Sequence, residues 1–259
     1  MNTINYGLKL RTNEAILMKR AMKLIDKGIF GYVELLINPN NPDITPFMKY
    51  DIEYIVHAPH ENYGVDIGTS EKNDFTLKMI DYILKCADKL DAKTVILHAG
   101  TGSLENATRV LSNFVDSRLV IENMPKVGLN GEMCRGHDTK SIKELIGKKF
   151  GLCLDFGHAI KAALSLKIDS KQLLSEFMDL EPKVYHISDG DLSTEKDNHL
   201  DIGEGTFDFN SISQCISIGK SEKITLETPR LTNTLKNDIE NITKLKKLFG
   251  SVKRRGLIR

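Results

Sequence analysis

The chain has 259 residues, near the upper size that one hydrophobic core organises, so a single domain over residues 1–259 is expected. Its 41% hydrophobic and 27% charged residues exclude a disordered or fibrous protein. Lys plus Arg total 36 against 35 Asp plus Glu, and this net charge of +1 excludes attachment to nucleic acid or membrane through bulk positive charge.

Along the chain, short apolar runs alternate with segments of helical periodicity. A strand is predicted at residues 4–8 and a helix at 14–25, then a strand at 32–37. Pro39, Pro42 and Pro46 leave room for only a short turn around Phe47 before the strand at 54–57. The clearest helix is 74–90, where Phe75, Met79, Tyr82, Ile83, Cys86 and Leu90 recur at helical spacing, and the methionines at such spacing read as core. Strands at 94–98, 119–122, 151–155, 184–187 and 224–227 follow, with helices at 104–115, 141–146, 172–178, 209–216 and 235–248. Eight strands, each followed by a crossover-length connection, predict an α/β fold of the (β/α)8 (TIM) barrel type. A doubly wound sheet would also alternate, but no Gly-rich dinucleotide fingerprint follows Leu8. No apolar run reaches the ~20 residues of a membrane span, and polar Asn2 and Thr3 after Met1 give no secretory signal. Cys86, Cys134, Cys153 and Cys215 are far apart, which fits reduced thiols in a cytoplasmic protein.

In a barrel the site forms at the carboxyl ends of the strands, and here the polar residues collect at those ends. The third predicted strand ends in His57, the fourth in His98, the fifth in Glu122 and the sixth in Asp155, with His158 three residues on. The seventh carries His186 and the eighth ends in Glu227. One such residue would be read as hydrogen-bonded structure; six consecutive strands delivering imidazole or carboxylate to one rim point to a ligand set. Imidazole with carboxylate and no thiolate suits catalytic zinc, manganese or iron. Asp197 and His199, two apart in the loop after the seventh strand, can clamp the same ion. The nine candidates are too many for one ion and enough for three, if a carboxylate bridges two.

The blocks YIVHAPH, VILHAG, VIENMP, GLCLDFGHA, VYHISDG, DNHLDIGEG and ITLETP resemble the ordered motifs of the endonuclease IV family. That family comprises apurinic/apyrimidinic endonucleases within the xylose-isomerase-like barrel superfamily, and the resemblance covers roughly residues 54–229. It implies a trinuclear zinc site. His57 and His98 match the ligands of the first ion, with Glu122 bridging to the second. Asp155, His186 and Glu227 complete the second, and His158, Asp197 and His199 match the third. It also implies damaged duplex DNA as partner, cut on the 5′ side of an abasic site, by a chain expected to be monomeric. The chain departs from the family where Gly7-Leu8-Lys9-Leu10-Arg11 replaces a G-x-H-x-S motif and His60 replaces a tyrosine. The Pro-rich loop over residues 37–48 lacks aromatic or arginine wedges near its start. These departures imply weaker action on DNA than that of a typical member.

Three clustered cations suit phosphodiester hydrolysis, because coordination lowers the pKa of water toward ~7. Glu122 is the expected catalytic residue, orienting the attacking water as well as bridging. The rival reading is a sugar isomerase or epimerase of the same superfamily, using one divalent metal on Glu122, Asp155, His186 and Glu227. Such an enzyme has no use for His57, His98, Asp197 and His199 as ligands. A metal-stabilised binding barrel ranks third. His60 reads equally as a support for the site or as a loop histidine; His137 reads as solvated. Asp189 and Asp191 would orient a ligand or turn the chain, and the basic tail at residues 253–259 reads as a loose end.

Overall fold

Strands covered on both faces read as continuous apolar runs, not as alternating ones. That is the pattern of YVELL and YIVH, each buried at every position. In the computed structural model, which describes the backbone of residues 4–255 and the side chains of residues 4–250, eight parallel strands close into a barrel in chain order. They are β1 (Asn5–Arg11), β2 (Tyr32–Leu36), β3 (Tyr54–His57), β4 (Val95–His98), β5 (Leu119–Glu122), β6 (Gly151–Asp155), β7 (Val184–Ile187) and β8 (Lys223–Leu226). The barrel is closed by β1 on β8, with Gly7 opposite Thr225.

Side chains alternate across a strand, so residues two apart share a face. Tyr32, Ile55, Ile96, Val120, Cys153 and Val184 form one buried cluster inside the barrel. Two residues further along their strands stand Glu34, His57, His98, Glu122, Asp155 and His186. The apolar plug and the polar layer above it are thus consecutive turns of one two-residue period. The larger core lies between the strands and the surrounding helices.

Those helices are α1 (Met18–Asp26), α2 (Thr45–Met48), α3 (Asn73–Lys89), α4 (Leu104–Leu111), α5 (Thr139–Ile146), α6 (Phe156–Leu166), α7 (Ser170–Met178), α8 (Phe209–Ile218) and α9 (Lys236–Arg255). Ser103, Asp138, Asp155, Asp169 and Asp208 each accept a backbone N–H of the first turn that follows, at the N-termini of α4 to α8.

The predicted barrel is the one observed, with corrections to its elements. No helix is expected from the sequence between residues 155 and 172, yet α6 follows β6 directly and His158, three residues after Asp155, lies in its first turn. Every residue from Phe156 to Ala163 is buried, so α6 lacks the polar stripe on which periodicity depends. β1 extends three residues past Leu8 and takes in Lys9. The helix predicted at 14–25 begins as a 3-10 segment, Thr12–Leu17, and becomes α-helical at Met18. On α3 the buried face is Thr76, Ile80, Ile83, Cys86 and Ala87. Phe75 and Tyr82 are largely exposed, Tyr82 donating to the Pro42 carbonyl at 2.8 Å. The side chains of the basic tail lie outside the described residues.

Candidate metal centre

The barrel rim brings the nine predicted residues together. Glu122, with no exposed surface, stands at the centre. Its Oε2 lies 3.1 Å from His57 Nε2 and 3.4 Å from His98 Nε2. Its Oε1 lies 3.1 Å from His186 Nδ1 and 3.6 Å from His158 Nδ1. Glu227, one residue beyond β8, places Oε1 2.8 Å from His186 Nδ1. Asp197 pairs with both His158, at 3.4 Å, and His199.

Ligand-type atoms fall into overlapping sets, each within 4.8 Å: His57, His98 and Glu122; Glu122, Asp155, His186 and Glu227; and Asp155, His158 and His199. The first two match the first and second predicted sets. The third differs, with Asp155 in place of Asp197, which meets the same two imidazoles through ion pairs.

Local structure explains how the side chains arrive. Asp155 ends β6 and caps α6, its Oδ1 accepting the His158 N–H at 2.7 Å, while its Oδ2 meets no hydrogen-bond donor among the described residues. The loop after β7 is folded by Asp189, whose carboxylate accepts N–H groups of Gly190, Gly203, Gly205 and Phe207. Of the two roles considered for Asp189, turning the chain is the one observed. Asp191 also serves the turn, accepting from Ser193 N and Oγ. Lys161 of α6, fully buried, donates to the carbonyls of Asp191 and, at 2.8 Å, Thr194. His199 is held at φ +35°, a left-handed backbone that a side chain tolerates only under constraint from its surroundings.

The electrostatics are those of buried carboxylates and imidazoles sharing protons. Burial opposes an imidazolium at His98, yet the Glu122 and Glu61 carboxylates outweigh it and raise the pKa to about 9. At His199 burial is likewise overcome, by Asp197, again to about 9. Burial, with Glu227 and Glu122 nearby, raises Asp155. Buried Asp155 Oδ2 and Asp197 Oδ1 find no donor among the described residues. Orphaned carboxylate oxygens beside imidazole nitrogens are what a divalent cation would satisfy, and the donor types suit zinc, manganese or iron.

Sequence reasoning missed three groups. Glu34, fully buried in β2, lies 2.9 Å from His186 Nε2. Its only signal was a lone carboxylate inside an apolar run. Lys9, noted as a departure only, sends Nζ between Glu34, at 3.2 Å, and Glu227. Glu61, in a 3-10 turn after β3, lies 3.2 Å from His98 Nδ1. His60 stacks on His98, with centroids 5.4 Å apart. His137 is half-buried, its Nδ1 lying 2.7 Å from the Cys134 carbonyl oxygen. Above the centre opens a cavity of about 840 Å³, lined by Arg11, His60, Leu129, Lys196, Arg230 and Leu231 among others.

Closed strands with imidazole and carboxylate donors converging at their carboxyl ends define a (β/α)8 barrel with a candidate metal centre. The chain belongs to the xylose isomerase-like TIM barrel family, whose pattern it matches over residues 47–248. It is 26% identical over 212 residues to an uncharacterized protein of Methanocaldococcus jannaschii, covering 76% of this chain and 78% of that one. It is 27% identical over 237 residues to a probable endonuclease 4 of Nitrosopumilus maritimus, covering 79% and 82%. Among solved structures, a D-tagatose 3-epimerase-like protein superposes with a TM-score of 0.74 at 19% identity, covering 97% of this chain and 99% of that one, a likeness of fold.

Proposed function

We propose that this protein is a metal-dependent phosphodiester hydrolase resembling endonuclease IV, cutting duplex DNA on the 5′ side of abasic sites. The observation that carries the reading is the overlap of donor sets through one carboxylate: Glu122 touches imidazoles of both the first and second sets. His57, His98, Glu122, Asp155, His158, His186, Asp197, His199 and Glu227 would hold the ions, three zinc per chain. Bound ions would make water acidic enough to attack at neutral pH and would offset charge on the phosphate. The residues themselves shape what can approach. Glu122, buried beneath the His57 and His98 imidazoles that line the cavity, would orient whatever donates a proton to it. Arg11 and Lys196 stand at the mouth, where a nucleic-acid backbone would pass. His60, against Tyr63 and His98, offers a ring face to an extruded sugar.

A second reading, a single-metal sugar isomerase or epimerase, is favoured by the compact set Glu122, Asp155, His186 and Glu227, which needs no further donor. One experiment separates the two. Zinc-reconstituted protein is assayed for ions per chain and for nicking of a duplex with one abasic site. About three ions, with a nick leaving a 3′ hydroxyl that is lost when Asp197 and His199 are both changed to Ala, supports the hydrolase. One ion, no nicking, and ketose interconversion that survives the double change would overturn it.

A further inference from the structure

We infer that Glu34 is a positioning residue that fixes which nitrogen of His186 faces the metal, with Lys9 as its counter-ion. The inference rests on the metal-centre reading above and extends it to a residue outside the nine. His186 has no exposed surface, and its two nitrogens face different partners. Nδ1 lies 3.1 Å from Glu122 Oε1 and 2.8 Å from Glu227 Oε1, both in the set that includes Asp155. Nε2 lies 2.9 Å from Glu34 Oε2. A neutral imidazole carries one proton and one lone pair. For Nδ1 to offer its lone pair to a cation among Glu122, Asp155 and Glu227, the proton must sit on Nε2, and the acceptor waiting there is Glu34.

The surroundings of Glu34 suit that duty. Its Oε2 also accepts the Thr225 hydroxyl at 2.7 Å, and Tyr32 meets that hydroxyl at 2.9 Å. Its Oε1 faces Lys9 Nζ at 3.2 Å. A fully buried carboxylate is costly unless a charge and donors answer it. Lys9 supplies the charge beside Oε1, which accepts no hydrogen bond among the described residues, while Thr225 and His186 supply the donors to Oε2. Carboxylate partners of this kind orient ligand imidazoles and typically change metal affinity about 10–100-fold when removed.

Glu34 also lies within 4.8 Å of ligand atoms of His57, His186 and Glu227, so the opposite assignment is that Glu34 itself binds an ion. Metal-free protein is titrated with zinc, and the zinc-loaded form, labelled with 15N-histidine, is examined by NMR. Glu34→Leu is expected to weaken one ion about 10–100-fold and leave the others unchanged. Glu34→Gln, which keeps an acceptor but not the charge, should weaken it less. Tyr32→Phe, which leaves the His186–Glu34 contact intact, should stay within about twofold of wild type. His186 should show a protonated Nε2. Unchanged affinity in a folded Glu34→Gln and Glu34→Leu, or a zinc-bound Nε2, would overturn the inference while the metal reading stands. Wild-type protein that takes up no divalent ion would overturn both.

Discussion

Glu122 answers imidazoles from four different elements, so charge, and not shape, is what it contributes at the barrel mouth. Glu122→Gln keeps the volume and removes the charge. Turnover should fall below about 1% of wild type, since losing a bridging ligand outweighs the 10–100-fold cost of losing an outer partner. Ion analysis of the purified variant, with circular dichroism to show an intact barrel, checks this. Five of the nine residues gathered here, His57, His98, Glu122, Asp155 and His186, were legible in the sequence because each stands two positions beyond an interior apolar residue. Glu227 ended the eighth apolar run, and His158, Asp197 and His199 were read from their spacing after the sixth and seventh strands. Glu34 stands on the same inward face and was passed over, because a single carboxylate in Tyr32–Leu36 breaks no period. Lys9 was passed over because β1 was expected to stop at Leu8, which would have put the lysine in a loop.

Among the elements, α6 shows what periodicity misses: a helix buried all round has no stripe, although its N-cap, Asp155, sits in plain view. β1 owes its place to Gly7, where an added Cβ would stand 2.3 Å from the Tyr32 ring in the barrel interior. Gly7→Ala should therefore cost about 1–3 kcal/mol by overpacking, read as a lower midpoint in thermal or urea unfolding. The turn before β5 carries a pH signature. The Arg118 guanidinium lies 2.6 Å from Asp116 and 2.8 Å from Asp88 of α3, and its hydrogen bonds hold the Asp116 carboxyl below its ordinary value. A pKa lower in the folded state than in the unfolded one adds stability above about pH 4, which is lost as pH falls through the folded value. Asp116→Asn should remove at most about 1 kcal/mol at neutral pH, and its difference from wild type should fade in unfolding curves below that pH.

For the molecule as a whole, ions that bind only the folded barrel must also hold it folded. At free zinc 1,000 times the dissociation constant, one site adds about 4 kcal/mol. At about 2–4 °C per kcal/mol, chelation should lower the melting temperature by on the order of 10 °C, and calorimetry with and without chelator measures it. The third donor set expected from the sequence joins two parts of the chain that are far apart in sequence, His158 on α6 and Asp197 with His199 on the loop after β7, which meet through ion pairs. Lys161 ties that loop to the same helix by its carbonyls, touching none of the three donors in those bonds. Lys161→Met should therefore speed amide hydrogen exchange across residues 191–206 while the strands exchange as before. Where Lys161 holds, helix and loop behave as one rigid lever. Where it is cut, the helix keeps its imidazole and the loop carries the other two donors away in every local opening, so a buried amine outside the centre governs how long that pocket stays assembled.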